Sequence, residues 1–116
     1  KKIIQDVGEI ILIESIGDML ALWECGIKNT IIIFGLNLSP ALISLLIKID
    51  PNKIHIGFNN DSENNNAGNL AAEKVKNKLS HHFDSGQINI ALPSKNDFGD
   101  MNESEILDWK TQYGLL

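Results

Sequence analysis

The sequence predicts an α/β domain in which a parallel sheet is covered by helices, in the order β-α-β-α-β-α-β-α. Short β-branched, apolar runs alternate with longer segments of helical periodicity, as repeated βαβ units require. The first two strand-like runs, Glu9 to Ile13 and Thr30 to Phe34, are β-branched and apolar at consecutive positions, the mark of strands buried on both faces. A length of 116 residues, 43% of them hydrophobic and 22% charged, fits one domain able to fill a core and leaves no room for two ordinary ones.

The first strand is read at Glu9 to Ile13. A helix pattern follows from about Gly17 to Glu24, with Met19, Leu20, Leu22 and Trp23 as its apolar contacts, and Gly26 stands where a left-handed residue ends a helix. Thr30 to Phe34 is the second strand. Ser39-Pro40 starts the next helix, with serine as cap and proline in the first turn, and this helix stops before Asp50-Pro51. Lys53 to Phe58 is the third strand, and Asn59 to Asn65 a polar loop. A helix capped near Asn66 runs to about His82, with Leu70, Ala71, Val75 and Leu79 on one face. Gln87 to Leu92 is the fourth strand. Asn102 and Glu105 have capping-box spacing before a last helix carrying Ile106, Leu107 and Trp109.

Right-handed crossovers put the carboxyl ends of parallel strands on one edge, where open α/β sheets bind ligands. The residues after each strand are therefore the candidates. Glu14 and Asp18 follow the first, Phe34-Gly35 the second, Asn59-Asn60-Asp61 the third, and Lys95-Asn96-Asp97-Phe98-Gly99-Asp100 the fourth. Three of the four ends carry carboxylates. Gathered carboxylates repel unless a cation neutralises them, and hard oxygen ligands suit Mg²⁺. A carboxylate rim of this kind points to metal-assisted phosphoryl transfer.

Other residues have plainer readings. Asp18 suits the first turn of its helix through the helix dipole. His81 and His82, adjacent on a helix, diverge by about 100° and share no ion readily; His55 lies in a strand, and none of the three has a zinc-site partner. The lone Cys25 rules out an internal disulfide, fits a reducing compartment, and reads as a small buried apolar residue. Trp23 and Trp109 read as packing residues rather than base-stacking platforms. The net charge of −5 argues against a free-standing nucleic-acid binder, and no apolar run is long enough to span a bilayer. The start at Lys1-Lys2, without an initiator methionine, predicts that residues 1–116 are a single domain cut from a larger protein.

The stretch Glu14-x-x-x-Asp18-x-x-x-Leu22-x-x-x-Gly26-x-x-Asn29, with Phe34-Gly35, resembles the first TOPRIM motif of DnaG-type and phage primases. Phe58-Asn59-Asn60-Asp61, with Ala67-Gly68 and Ala71-Ala72, resembles the Asp-x-Asp motif and its helix. Lys95 to Asp100 resembles the later acidic turn of phage-type primases. The likeness spans residues 9 to 112. It implies a Rossmann-like TOPRIM fold, a four-stranded mainly parallel sheet with helices on both faces and the first and third strands adjacent. It also implies Mg²⁺ or Mn²⁺ held by Glu14, Asn59, Asp61, Asp97 and Asp100, with Asp18 at the edge of the cluster. Glu14 and Asp61 would be catalytic, Glu14 as a general acid or base. The implied activity is primer synthesis by nucleotidyl transfer in the cytoplasm of a bacterial or phage-infected cell. DNA template and nucleoside triphosphates would be partners of the full-length protein, with zinc-binding and helicase domains outside this stretch and no membrane partner. Two departures stand out: Asn59 replaces the first acid of Asp-x-Asp, and Ser15 replaces the glycine that usually follows the glutamate. Asn59 leaves open a degenerate, non-catalytic binding module; a TOPRIM-type nuclease or topoisomerase-like cutter is the other alternative, though the single tyrosine, Tyr113, lies beyond the last motif.

Overall fold

The structure, a computed structural model, describes residues 8–33, 38–60 and 67–114. Four strands, β1 (Glu9–Ile13), β2 (Thr30–Ile32), β3 (Lys53–Ile56) and β4 (Ile88–Ile90), form one sheet in the order β2-β1-β3-β4. All three pairings are parallel, with Leu12 registered on Ile31 and on Ile56, and Ile56 on Ile90. Four α-helices connect or follow the strands: α1 (Ile16–Glu24), α2 (Pro40–Ile49), α3 (Ala67–Leu79) and α4 (Glu103–Gln112).

β1 is buried along its whole length because it is central and covered on both faces. Ile10 and Leu12 join one core with Ile54, Ile56, Leu46 of α2, and Ala72, Val75 and Leu79 of α3. Ile11 and Ile13 join the other with Leu22 of α1, Phe98, and Ile106 and Trp109 of α4. β1 thus feeds two cores, which explains its unbroken apolar run.

The local punctuation follows side-chain chemistry. Ser39 Oγ accepts from Leu42 N–H at 3.2 Å with Pro40 opening α2. Asn102 and Glu105 exchange two hydrogen bonds of 2.9 Å in a reciprocal cap on α4. Gly26 has φ +83, a backbone state that a side chain would oppose.

Several expectations shift. α1 starts at Ile16, capped by Ser15, and α3 ends at Leu79 rather than His82. β3 ends at Ile56 rather than Phe58, and β4 spans only Ile88–Ile90, because pairing stops where the loops diverge. Of the apolar contacts expected on α1, Leu22 is buried and Met19 half-buried, whereas Leu20 and Trp23 are exposed; Leu70 on α3 is exposed too. Each of these helices meets the sheet along one narrow stripe, and these side chains lie outside it. Cys25 is half-buried rather than buried. Phe34, Gly35, Asp61 and Asn66 lie outside the described residues.

Candidate functional site

The sheet order creates the site. From β1 the chain crosses to β2 on one side, then returns past β1 to β3 and continues outward to β4. Connections leave β1 and β3 in opposite directions, and such a switch point opens a crevice at the carboxyl ends of the two strands. Glu14 follows β1, and Asn59 lies three residues beyond β3.

The two residues meet. The half-buried Glu14 accepts a hydrogen bond at Oε2 from the backbone N–H of Asn59. Asn59 Oδ1 is buried without a hydrogen-bond partner among the described residues. Its neighbour Asn60 is fully engaged. Asn60 N–H donates to Asn96 C=O at 2.7 Å, Nδ2 donates to Pro93 C=O at 3.1 Å, and Oδ1 accepts from Asn69 Nδ2 at 3.3 Å. The loop after β3 is therefore fastened to the loop after β4 and to the first turns of α3.

Asp18 forms a second fastening. Asp18 is only 2% exposed, so its carboxylate needs partners beyond the helix dipole. Oδ1 accepts from Phe98 N–H at 3.1 Å, and Oδ2 accepts from Ser15 Oγ at 3.2 Å. Burial raises the Asp18 carboxyl above its ordinary range. The Ser15 hydroxyl pulls it back, the negative charge of Asp97 pushes it up, and the Phe98 and Gly99 N–H groups pull it back. Asp18 stands in the first turn of α1, as the helix-dipole reading has it, and adds a long-range hydrogen bond that docks the β4 loop.

In that loop Asp97 Oδ1 accepts from Asp100 N–H at 2.9 Å, capping the 3₁₀ turn Phe98–Asp100, and Asp100 is exposed. Phe98 is buried edge-on to Trp109, with ring centroids 4.8 Å apart. Trp109 Nε1–H donates to Ala91 C=O at 2.8 Å. Phe98 also lies over Gly57, where an added Cβ would stand 2.9 Å from Cε2. Lys95 pairs with Glu105 of α4 at 3.2 Å.

The structure thus brings Glu14 to Asn59, and Asp18 to the Asp97 turn. Among the described residues, no group of three or more His, Cys, Asp or Glu side chains gathers closely enough to hold an ion. The donor set at the switch point still fits a hard cation. A carboxylate and an amide oxygen are both oxygen ligands, and the Asn59 oxygen lacks the donor that buried carbonyls normally find. Sequence reasoning missed Ser15, read only as a departure from glycine, although a serine three residues before a carboxylate is a capping signal. It also missed Gly57 and assigned no role to Asn60 and Phe98, because these roles depend on contacts distant in sequence. His81 and His82 are exposed just past the end of α3.

Residues 11–104 match the protein family described as Toprim-like. The chain belongs to that family. It is 35% identical over 92 residues, 79% of its length, to a DNA primase of Synechocystis sp. (strain ATCC 27184 / PCC 6803 / Kazusa), of which it spans 14%. In fold it is similar to the RNA polymerase domain of Mycobacterium tuberculosis primase DnaG, with TM-score 0.74 and 15% identity over 96% of this chain and 38% of that one. A second structure of that domain, in complex with a double-stranded DNA oligomer with a 6-nucleotide overhang, gives TM-score 0.69 and 19% identity over 94% of this chain and 36% of that one. The Toprim-like fold accounts for the adjacency of β1 and β3, and with it the meeting of Glu14 and Asn59. Among the described residues no helix is long and apolar enough to cross a membrane.

Proposed function

We propose that this Toprim-like domain is the metal-dependent catalytic module of a DNA primase, joining ribonucleotides on a DNA template during replication. The reading rests on the junction at the switch point: Glu14 tethered by Asn59 N–H, beside an Asn59 amide oxygen buried without a donor. Glu14 and Asn59 would hold Mg²⁺ or Mn²⁺, joined by Asp61 and, from the β4 loop, by Asp97 and Asp100. When bound, the ion supplies positive charge that neutralises the triphosphate and favours ionisation of the attacking hydroxyl. The chain's own residues supply the framework. Glu14 is oriented by the facing backbone and accepts or returns a proton at the reacting hydroxyl. Asp18 and Asn60 hold the loops after β4 and β3 against that centre, which limits reorganisation during the reaction.

The domain would act within a larger, cytoplasmic protein. It spans only 14% of the cyanobacterial primase, and its charge of −5 gives little hold on phosphates. Template grip, zinc-binding and helicase functions would belong to the rest of that protein. Asn59 favours a second reading, a degenerate Toprim module that binds without catalysing, since an amide brings no charge to the ion.

Titration with Mn²⁺ tests the centre. Glu14→Gln is expected to weaken binding and Asn59→Asp to tighten it; identical affinities for both variants and the parent would refute the metal site. An assay of the full-length protein on single-stranded template tests the activity. Short RNA products that vanish with Glu14→Gln are expected. Priming unaffected by that change would overturn the catalytic role, and DNA cleavage without synthesis would replace it with a nuclease.

A further inference from the structure

A cavity of about 350 Å³ opens at the carboxyl end of β4, and the residues of the proposed metal centre do not line it. Ile90, the last residue of β4, and Leu92 give it apolar surface, while Asn60, Ser94, Gln112 and Tyr113 add polar groups. Small-molecule sites span roughly 300–1,000 Å³ and combine apolar surface with a few placed polar groups, so both the size and the lining fit a small ligand. The walls are fixed in advance. Asn60 is held by Pro93 C=O and by Asn69, and the Tyr113 ring packs against Trp109 with centroids 6.0 Å apart. Trp109 is itself anchored to Ala91 C=O. Walls held this way need little ordering when a ligand enters.

The lining selects the class of ligand. None of the residues around the cavity is charged, so a phosphate or carboxylate would gain no ion pair there. The Ser94 and Tyr113 hydroxyls and the Gln112 amide have no hydrogen-bond partner among the described residues. An aliphatic ligand would leave these groups unused, and a bare sugar would leave the tyrosine ring and the apolar surface unused. A planar, neutral group with hydrogen-bonding edges uses all of them. Aromatic rings stack on nucleobases of any kind, and a glutamine amide donates and accepts side by side, as a base edge requires. The location agrees. Asn60 directly follows Asn59, so the cavity adjoins the crevice where the triphosphate would meet the ion. A polynucleotide fits less well, because its hold comes from phosphate contacts that an uncharged lining and a net charge of −5 do not supply.

We propose that this cavity receives the nucleobase of a ribonucleotide, with Tyr113 stacking on the base and Gln112 and Ser94 hydrogen-bonding its edge. The choice of a nucleotide rests on the proposed function, but the base is held without the ion, so the test leaves metal out. The chain has one tyrosine, and selective tyrosine labelling therefore gives a single ring to follow by NMR. The probe is adenosine, which carries a base and no phosphate, titrated into the full chain with chelator present. The expected result is a saturable upfield movement of the Tyr113 ring signals, caused by the ring current of the stacked base. Two substitutions at exposed residues check the location. Gln112→Ala should weaken adenosine binding by about tenfold, and Ser94→Leu, which places an apolar side chain in the cavity, should abolish it. Ribose should leave the signals unmoved. Tyr113 signals that do not respond to adenosine, equal affinities in the parent and both variants, or ribose acting as strongly as adenosine would each overturn the proposal. Failure of the metal reading looks different: Mn²⁺ affinity indifferent to Glu14→Gln, with the adenosine response intact, would remove the ion and leave the base site standing.

Discussion

Replacing Asp18 by asparagine and by alanine separates its charge from its hydrogen bonds. Asparagine keeps an oxygen for Phe98 N–H and an amide for the Ser15 hydroxyl; alanine keeps neither. In Asp18→Ala the buried Phe98 N–H loses its acceptor, an omission that costs about 1–3 kcal/mol. In a domain of this size each kcal/mol lowers the unfolding midpoint by roughly 4 °C. The charge acts separately. Burial raises the folded Asp18 carboxyl above its ordinary value of 3.8, so the folded chain holds this proton more tightly than the unfolded one. The resulting stabilisation is fully present below pH 3.8 and is lost as pH rises through the folded value. Asp18→Asn has no such dependence. Thermal unfolding followed by circular dichroism, without metal and from acid to neutral pH, should show the parent losing stability relative to Asp18→Asn as pH rises. Near neutrality Asp18→Asn should match or exceed the parent, while Asp18→Ala stays below both. If the difference between the parent and Asp18→Asn did not change with pH, or if asparagine were as damaging as alanine at neutral pH, the account of a buried, hydrogen-bonded carboxylate would be wrong.

Two further substitutions probe the same framework. Gly57→Ala places a methyl group 2.9 Å from Phe98 Cε2, and the forced shift of a ring already packed on Trp109 is expected to cost about 1–3 kcal/mol, read from urea denaturation; a neutral result would mean that the ring can move freely. Ser15→Ala removes the cap on α1 and one donor to Asp18, with an expected loss of about 1 kcal/mol, against only a few tenths for Ser15→Gly, and equal effects of the two would refute the capping role.

What the sequence made legible was whatever a few neighbouring residues decide. The Ser39-Pro40 start, the Asn102/Glu105 cap and the left-handed Gly26 depend on contacts within one turn, and each stands as expected. The alternating order of strands and helices was legible too, and β1, apolar on both faces, can only be interior. Which residues of an apolar helix reach the core was less legible. Leu20 and Trp23 on α1 look no different in sequence from Leu22, yet only the stripe facing the sheet is buried. Contacts between distant loops left no local trace. The partner of Asp18 is Phe98, 80 residues away, and nothing near Asp18 announces it. The same holds for the fit of Gly57 under Phe98 and for the pairing of Glu9 with His55. At the candidate site, the adjacency of Glu14 and Asn59 followed from strand order, whereas the buried, donorless Asn59 oxygen required coordinates.

On the proposed reading, position 59 is a place where stability and metal binding oppose each other. Asn59 contacts Glu14 through its backbone, and its side-chain oxygen is buried. A carboxylate there would add a second negative charge close to the first, in a setting that solvates it poorly, and like charges so placed destabilise the fold unless a cation separates them. The Asn59→Asp variant should therefore unfold at a lower temperature than the parent in the presence of chelator. Metal reverses the order if position 59 is a ligand, because an ion that binds only the folded chain stabilises it by about 2.7 kcal/mol at a hundredfold excess over its dissociation constant. The tighter-binding aspartate reaches that excess at a lower Mn²⁺ concentration. A crossing of the two midpoint curves as Mn²⁺ increases is the expected result. A purely structural role for Asn59 would shift the variant by the same amount at every metal concentration, and parallel curves would remove position 59 from the metal site.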